Sequence, residues 1–126
     1  MGTTFDAIVL IAHGARDARW MDPFRTMQAE IAQRLTEQKV ALAFMEFATP
    51  TFPDAVAEVC RAGARRVLVV PVFLSGGGHV ANDVPQLINN ERLRYPDVEF
   101  AIAGAIGEER EVVAGMIAAV MRLASR

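Results

Sequence analysis

Val67-Leu68-Val69-Val70-Pro71-Val72-Phe73-Leu74-Ser75-Gly76-Gly77-Gly78-His79 is the stretch that decides the fold. An unbroken valine-rich apolar run, closed by glycines, reads as a strand buried on both faces rather than one with a wet side. The chain opens on a similar arrangement: Ala7-Ile8-Val9-Leu10-Ile11-Ala12 runs straight into His13. Strands of this kind belong to parallel sheets covered by helices, and such sheets bind ligands beyond the carboxyl ends of their strands. His13 and His79 are the only 2 histidines in the chain, and both fall on that edge.

Working outward, four strand-like runs alternate with four helix-like ones. The first strand covers about 6–12. Asp22-Pro23 gives a helix start, with Asp as cap and Pro in the first turn, and Phe24, Met27, Ile31 and Leu35 follow at helical spacing. A second strand covers about 40–47. Thr49-Pro50-Thr51-Phe52-Pro53-Asp54 opens a shorter helix through Cys60, ended by Gly63. The third strand is 66–73, the third helix about 83–93, the fourth strand about 98–103, and a final helix about 107–124. Alternation at these lengths predicts right-handed βαβ units, hence an α/β fold of three layers with a four-stranded parallel sheet. With no linker or repeat, residues 1–126 read as one domain. The final helix carries Val112, Val113, Met116, Ile117, Val120 and Met121 as a wide apolar face. A helix covering a sheet needs that width, so core packing is the use expected of it, ahead of a dimer contact.

The bulk numbers narrow the function. The chain is 52% hydrophobic and 22% charged, as a folded protein is, and its net charge of −2 offers no field for nucleic acid or an anionic membrane. An anionic ligand has to be met by locally placed arginines. One cysteine, Cys60, forms no internal disulfide and sits on an apolar helix face. The apolar N-terminal run follows Asp6 and has no basic region before it, which reads as a strand rather than a leader. A cytoplasmic protein is the expectation.

Three strand ends supply His13, Glu46 and His79. If the sheet is ordered 2-1-3-4, those strands are neighbours and the switch point lies between the first and third. Two imidazoles and a carboxylate there could hold a divalent metal with open positions, or accept protons near pH 7. The plainer readings are solvated loop histidines, and a Glu46 that caps the next helix or meets Arg16. A carboxylate inside an apolar strand is unusual, which favours function for Glu46. Ser75, Gly76, Gly77 and Gly78 lack a GxGxxG or GxxxxGK[ST] pattern, but a run without side chains leaves room for a large flat ligand. Arg16, Arg19 and Arg25 follow His13 and are candidates for ligand carboxylates, since guanidinium pairs with carboxylate through two hydrogen bonds. Arg65-Arg66 precede the third strand, at the opposite edge, and read as surface charge.

Leu10-Ile-Ala-His13-Gly14, Glu46-Phe-Ala-Thr-Pro50 and Val70-Pro-Val-Phe-Leu-Ser-Gly-Gly-Gly-His79-Val-Ala-Asn-Asp83-Val-Pro85 together resemble the short CbiX-type sirohydrochlorin chelatases, class II chelatases that insert metal without ATP. The resemblance covers nearly the whole chain, and the third segment is its specific part. It implies a chelatase-like half-domain with sheet order 2-1-3-4 that dimerises to rebuild a two-domain cleft. It implies Co²⁺ or Fe²⁺ as substrate, Ni²⁺ remaining open, with a sirohydrochlorin-type tetrapyrrole and no organic cofactor. By position, His13 and His79 match the family's metal-binding, proton-accepting histidines, and Glu46 matches its acidic residue. Arg16, Arg19 and the segment from Ser75 to Gly78 would meet the substrate. One departure is Ala15, where the family commonly has serine. Two other readings of the residues stand beside this one: a non-catalytic metal or tetrapyrrole carrier, and a nucleotide-binding α/β domain resting on the glycine loop alone.

Overall fold

The computed structural model describes residues 5–126, apart from the side chains of residues 79–81. Strands β1 (Ala7–Ala12), β2 (Lys39–Phe44), β3 (Arg66–Pro71) and β4 (Glu99–Ile102) form one sheet in the order β2-β1-β3-β4. All three pairings are parallel, with Leu10 opposite both Leu42 and Val70. β1 and β3 therefore lie side by side at the centre, and their carboxyl ends form the switch point anticipated from the sequence. Every residue of β1 is buried, as a strand flanked and covered on both faces must be.

Successive side chains point to opposite faces, and the core divides accordingly. Val9, Ile11, Ala41, Ala43, Val67 and Val69 face α2 (Phe52–Arg61) and α3 (His79–Arg94), whose Phe52, Val56, Val59, Val84 and Ile88 complete that layer. Ile8, Leu10, Leu42 and Phe44 face α1 (Asp22–Arg34) through its Phe24, Met27 and Ile31. Helix α2 starts where the sequence placed it. The Thr51 hydroxyl accepts from the Asp54 amide at 3.3 Å while the Asp54 carboxylate accepts from the Thr51 amide at 3.4 Å, so two otherwise orphaned donors are satisfied at once. Burying Phe52, Val56 and Val59 contributes roughly 1.5–3 kcal/mol each and pins the helix on the sheet.

Four expectations need correction. Asp22 is the first residue of α1 rather than its cap, and no side chain caps that end. β2 stops at Phe44, short of Glu46. Helix α3 begins at His79 instead of near Asp83, with Pro85 inside it and Gly78 (φ 66°) turning the chain into it. Asp83 thus lies within α3, not at its start. The fourth correction concerns the final helix. A 3-10 turn at Ile106–Glu108 precedes α4 (Arg110–Ala124), and no residue of α4 is buried. Ile117, Val120 and Met121 are 58–63% exposed. Neither core layer includes a residue of α4, so α4 does not cover the sheet of its own chain. Among the described residues no helix is long and apolar enough to cross a membrane.

Candidate active site

His13 is the first residue past β1, exposed, with its ring 4.2 Å from that of Phe73 and tilted by 55°. Phe73 is itself buried just past β3, so a fixed aromatic wall sets the position of the imidazole. Glu46 comes to His13 by backbone pairing. Hydrogen bonds continue past β2 from the Met45 amide to the Ala12 carbonyl (2.9 Å) and from the Glu46 amide to the His13 carbonyl (3.0 Å). Phe47 then turns the chain with φ 66°, and the strand end folds back so that the Phe44 amide donates to the Pro50 carbonyl at 2.9 Å. The Glu46 carboxylate is consequently exposed in a turn and not enclosed in an apolar strand. Among the described residues it makes no ion pair, with Arg16 or any other group.

Gly14 makes this closure possible. It has φ +90°, and a Cβ built there would lie 2.0 Å from the Glu46 carbonyl oxygen. Only glycine lets the two loops approach so closely.

The arginines separate into different environments. Arg16 lies with its guanidinium 4.6 Å from the centroid of the Phe47 ring, and Phe47 is 55% exposed. Arg19 is engaged by Asp17 through two side-chain hydrogen bonds of 2.7 and 3.1 Å, which hold the Asp17 carboxyl below its usual range and raise the guanidinium. Arg25 stands 5.2 Å over Phe44. Arg16 is thus the one of the three that shares an exposed aromatic surface beside His13 and Glu46. The glycine loop is also fastened: the Gly76 amide donates to Glu108 Oε1 at 2.8 Å, and the Gly77 amide to the Ser75 hydroxyl at 3.2 Å. Gly78 is open on its Cβ side.

The structure brings His13 and Glu46 together and places the first residue of α3, His79, past the glycine loop. The side chain of His79 lies outside the described residues, and so does its part in any shared ion. Among the described residues no three His, Cys, Asp or Glu side chains gather as a metal cage. Phe47 and Glu108 were missed from the sequence. Phe47 is an aromatic in an apolar run until its positive φ is known, and Glu108 lies far from the loop it holds in sequence. Arg65 and Arg66 lie at the opposite edge as expected, their amides donating to the Asp6 carboxylate at 2.9 and 3.0 Å.

A family model described as CbiX matches residues 7–122. A sirohydrochlorin cobaltochelatase of Methanocaldococcus jannaschii is 36% identical over 87 residues, 66% of this chain and 58% of that protein. A sirohydrochlorin ferrochelatase of Priestia megaterium is 27% identical over 108 residues, 86% of this chain and 41% of that protein. The chain therefore matches little more than half of the first relative's length, and less of the second's. Among solved structures, one described as a cobalamin (vitamin B12) biosynthesis CbiX protein from Marinobacter aquaeolei superposes with a TM-score of 0.83 at 29% identity, covering 95% of this chain and 98% of that one.

Proposed function

Because the chain belongs to the CbiX family, we propose that it is a sirohydrochlorin chelatase, inserting Co²⁺ or Fe²⁺ into the tetrapyrrole without ATP and working as a homodimer. The product would feed cobalamin or siroheme formation. The observation that carries this reading is the pairing of His13 with Glu46 at the carboxyl edge of the sheet, joined by a 3.0 Å backbone hydrogen bond and closed by Gly14.

A free-base macrocycle carries two pyrrolic N–H protons that leave as a divalent ion enters. The His13 imidazole accepts them one after the other, passing each on toward solvent, with the carboxylate of Glu46, whose backbone pairs with that of His13, as the assisting acceptor. Before insertion the ion needs donors that hold it and then release it, which a few imidazole and carboxylate ligands with open positions provide. His13 and His79 are assigned that role. The tetrapyrrole lies over the loop from Ser75 to Gly78, where the absence of side chains admits a flat ring. Its acidic substituents fall to Arg16, whose long side chain is exposed beside Phe47; Arg19, already paired with Asp17, contributes less. This donor set does not choose among cobalt, iron and nickel.

The test is anaerobic absorbance of sirohydrochlorin with Co²⁺, following the native protein, His13→Ala and His79→Ala. Rapid conversion by the native protein, lost in both folded variants, is the expected result. Substrate binding with insertion at the spontaneous rate would replace the chelatase with a carrier. An unfolded His13→Ala protein would make that residue structural.

A further inference from the structure

Three consecutive glycines, Gly76 to Gly78, have no side chains to fix their backbone, and glycine has more conformational freedom to lose than any other residue. Such a loop offers a flat bed only if something else holds its shape. Two of its amides are held. The Gly77 amide donates to the Ser75 hydroxyl at 3.2 Å, a bond within the loop. The Gly76 amide donates to Glu108 Oε1 at 2.8 Å, across 32 positions of sequence. The acceptor there is a carboxylate, which makes a stronger bond with a backbone amide than a neutral oxygen does. Glu108 is itself presented from a fixed turn. Ala105 is buried, the Glu108 amide donates to its carbonyl at 3.0 Å, and the Gly107 amide donates to the Phe73 carbonyl at 2.8 Å. A Cβ at Gly107 would lie 2.3 Å from the Leu74 carbonyl oxygen, so the turn sits directly against the start of the loop. The Glu108 side chain is exposed and belongs to neither core layer.

We propose that Glu108 is a positioning residue for the tetrapyrrole, holding the glycine loop in the shape on which the ring lies. The inference rests on the proposed function, which seats the ring over Ser75 to Gly78, and names the group that shapes that seat. Glu108 acts through the Gly76 amide and touches neither the metal nor the pyrrole nitrogens. A brace for the fold as a whole is the plainer role, and two observations speak against it. The carboxylate is exposed, and the backbone bonds of Gly107 and Glu108 fasten the turn without it. Losing the carboxylate therefore leaves the turn, the sheet and the helices in place and frees the loop alone. Only Gly77 and Gly78 separate the held amide from His79, the first residue of α3, but that helix is anchored separately by Val84 and Ile88 in the core. A loop that samples several shapes binds its ligand in proportion to the fraction that is competent. The loss of Glu108 thus falls on ring binding rather than on proton removal at His13.

The test compares the native protein with Glu108→Ala, Glu108→Gln and, as control, Glu109→Ala. Glu109 is the adjacent exposed carboxylate, and its side chain makes no capping hydrogen bond to α4. Hydrogen exchange at the Gly76 amide needs no substrate. It should be at least several-fold faster in Glu108→Ala and return toward the native rate in Glu108→Gln, whose side-chain oxygen still accepts. Sirohydrochlorin titrated without metal should bind several-fold more weakly to Glu108→Ala. In Co²⁺ insertion KM should rise by a similar factor with kcat changed less, and glutamine should recover both. Glu109→Ala should match the native protein throughout. Native exchange at Gly76 in Glu108→Ala overturns the proposal, as does a loosened loop with unaltered binding, a loss confined to kcat, or a glutamine variant no better than the alanine one. Equal effects of Glu109→Ala and Glu108→Ala overturn it too. In each of these cases the native protein still binds and metallates the tetrapyrrole, and the chelatase reading stands. A native protein that does neither overturns that reading, and this inference with it.

Discussion

Replacing Gly14 by alanine should cost far more than the same change at Gly63, although both residues have a positive φ, +90° and +96°. Holding an alanine in that region costs about 1–2 kcal/mol. At Gly63 nothing lies within 4 Å of the added Cβ, so Gly63→Ala should lose only that amount. At Gly14 the Cβ would sit 2.0 Å from the Glu46 carbonyl oxygen and 3.3 Å from the Phe44 Cβ. The first of these is backbone and cannot be relieved by a rotamer change. Forcing a shift of that kind adds typically 1–3 kcal/mol. Urea unfolding of the two variants at constant m should separate them by about 1–3 kcal/mol. The movement displaces Glu46 from His13, so Gly14→Ala should also lose insertion activity under conditions where it is fully folded, and Gly63→Ala should not. Equal destabilisation by the two substitutions would refute the closure of the two loops through Gly14.

Removing the surface between Arg16 and Phe47 should weaken substrate binding more than chemistry. Arg16→Ala and Phe47→Ala are expected to raise KM several-fold with kcat changed less, in steady-state insertion assays; a loss confined to kcat would move these residues into the chemical step. Asp6 reports on acid stability. The Arg65 amide, then that of Arg66, holds its carboxyl below the usual range, so its folded pKa lies under its unfolded one. The stabilisation is therefore complete above about pH 4 and fades as pH falls through the lowered value. Asp6→Asn should unfold at lower urea than native protein at pH 7, and the gap should narrow in acid; a gap independent of pH would count against the ionised carboxylate.

The site was half legible in the sequence. His13 could be placed because strand ends can be located from an apolar run and the residue that follows it. Glu46 could be placed at the edge, but for an incomplete reason: the strand stops at Phe44, and it is the Glu46 amide's hydrogen bond to the His13 carbonyl that holds the residue there. Phe47 was not singled out, since a positive φ on a bulky residue leaves no trace in residue type. Nor did residue type separate the arginines; which of them lies paired with Asp17 and which over an aromatic ring depends on how the loop folds.

By itself the sequence determined the alternation of four strands and four helices, the capped start of α2, and the placing of both histidines beyond strand ends. Local chemistry is enough for these, because apolar periodicity, capping side chains and glycine act within a few residues. The order β2-β1-β3-β4 came from family resemblance, and the structure agrees with it. Only the tertiary structure decided how Gly14 locks against Glu46, how Glu108 holds the glycine loop, and that α4 stands away from its own sheet. The apolar stripe of α4 states that the helix must be covered. Which surface covers it depends on where the 3-10 turn points the helix, and that direction is set by Gly107 packing under Leu74, a contact between residues far apart in the chain.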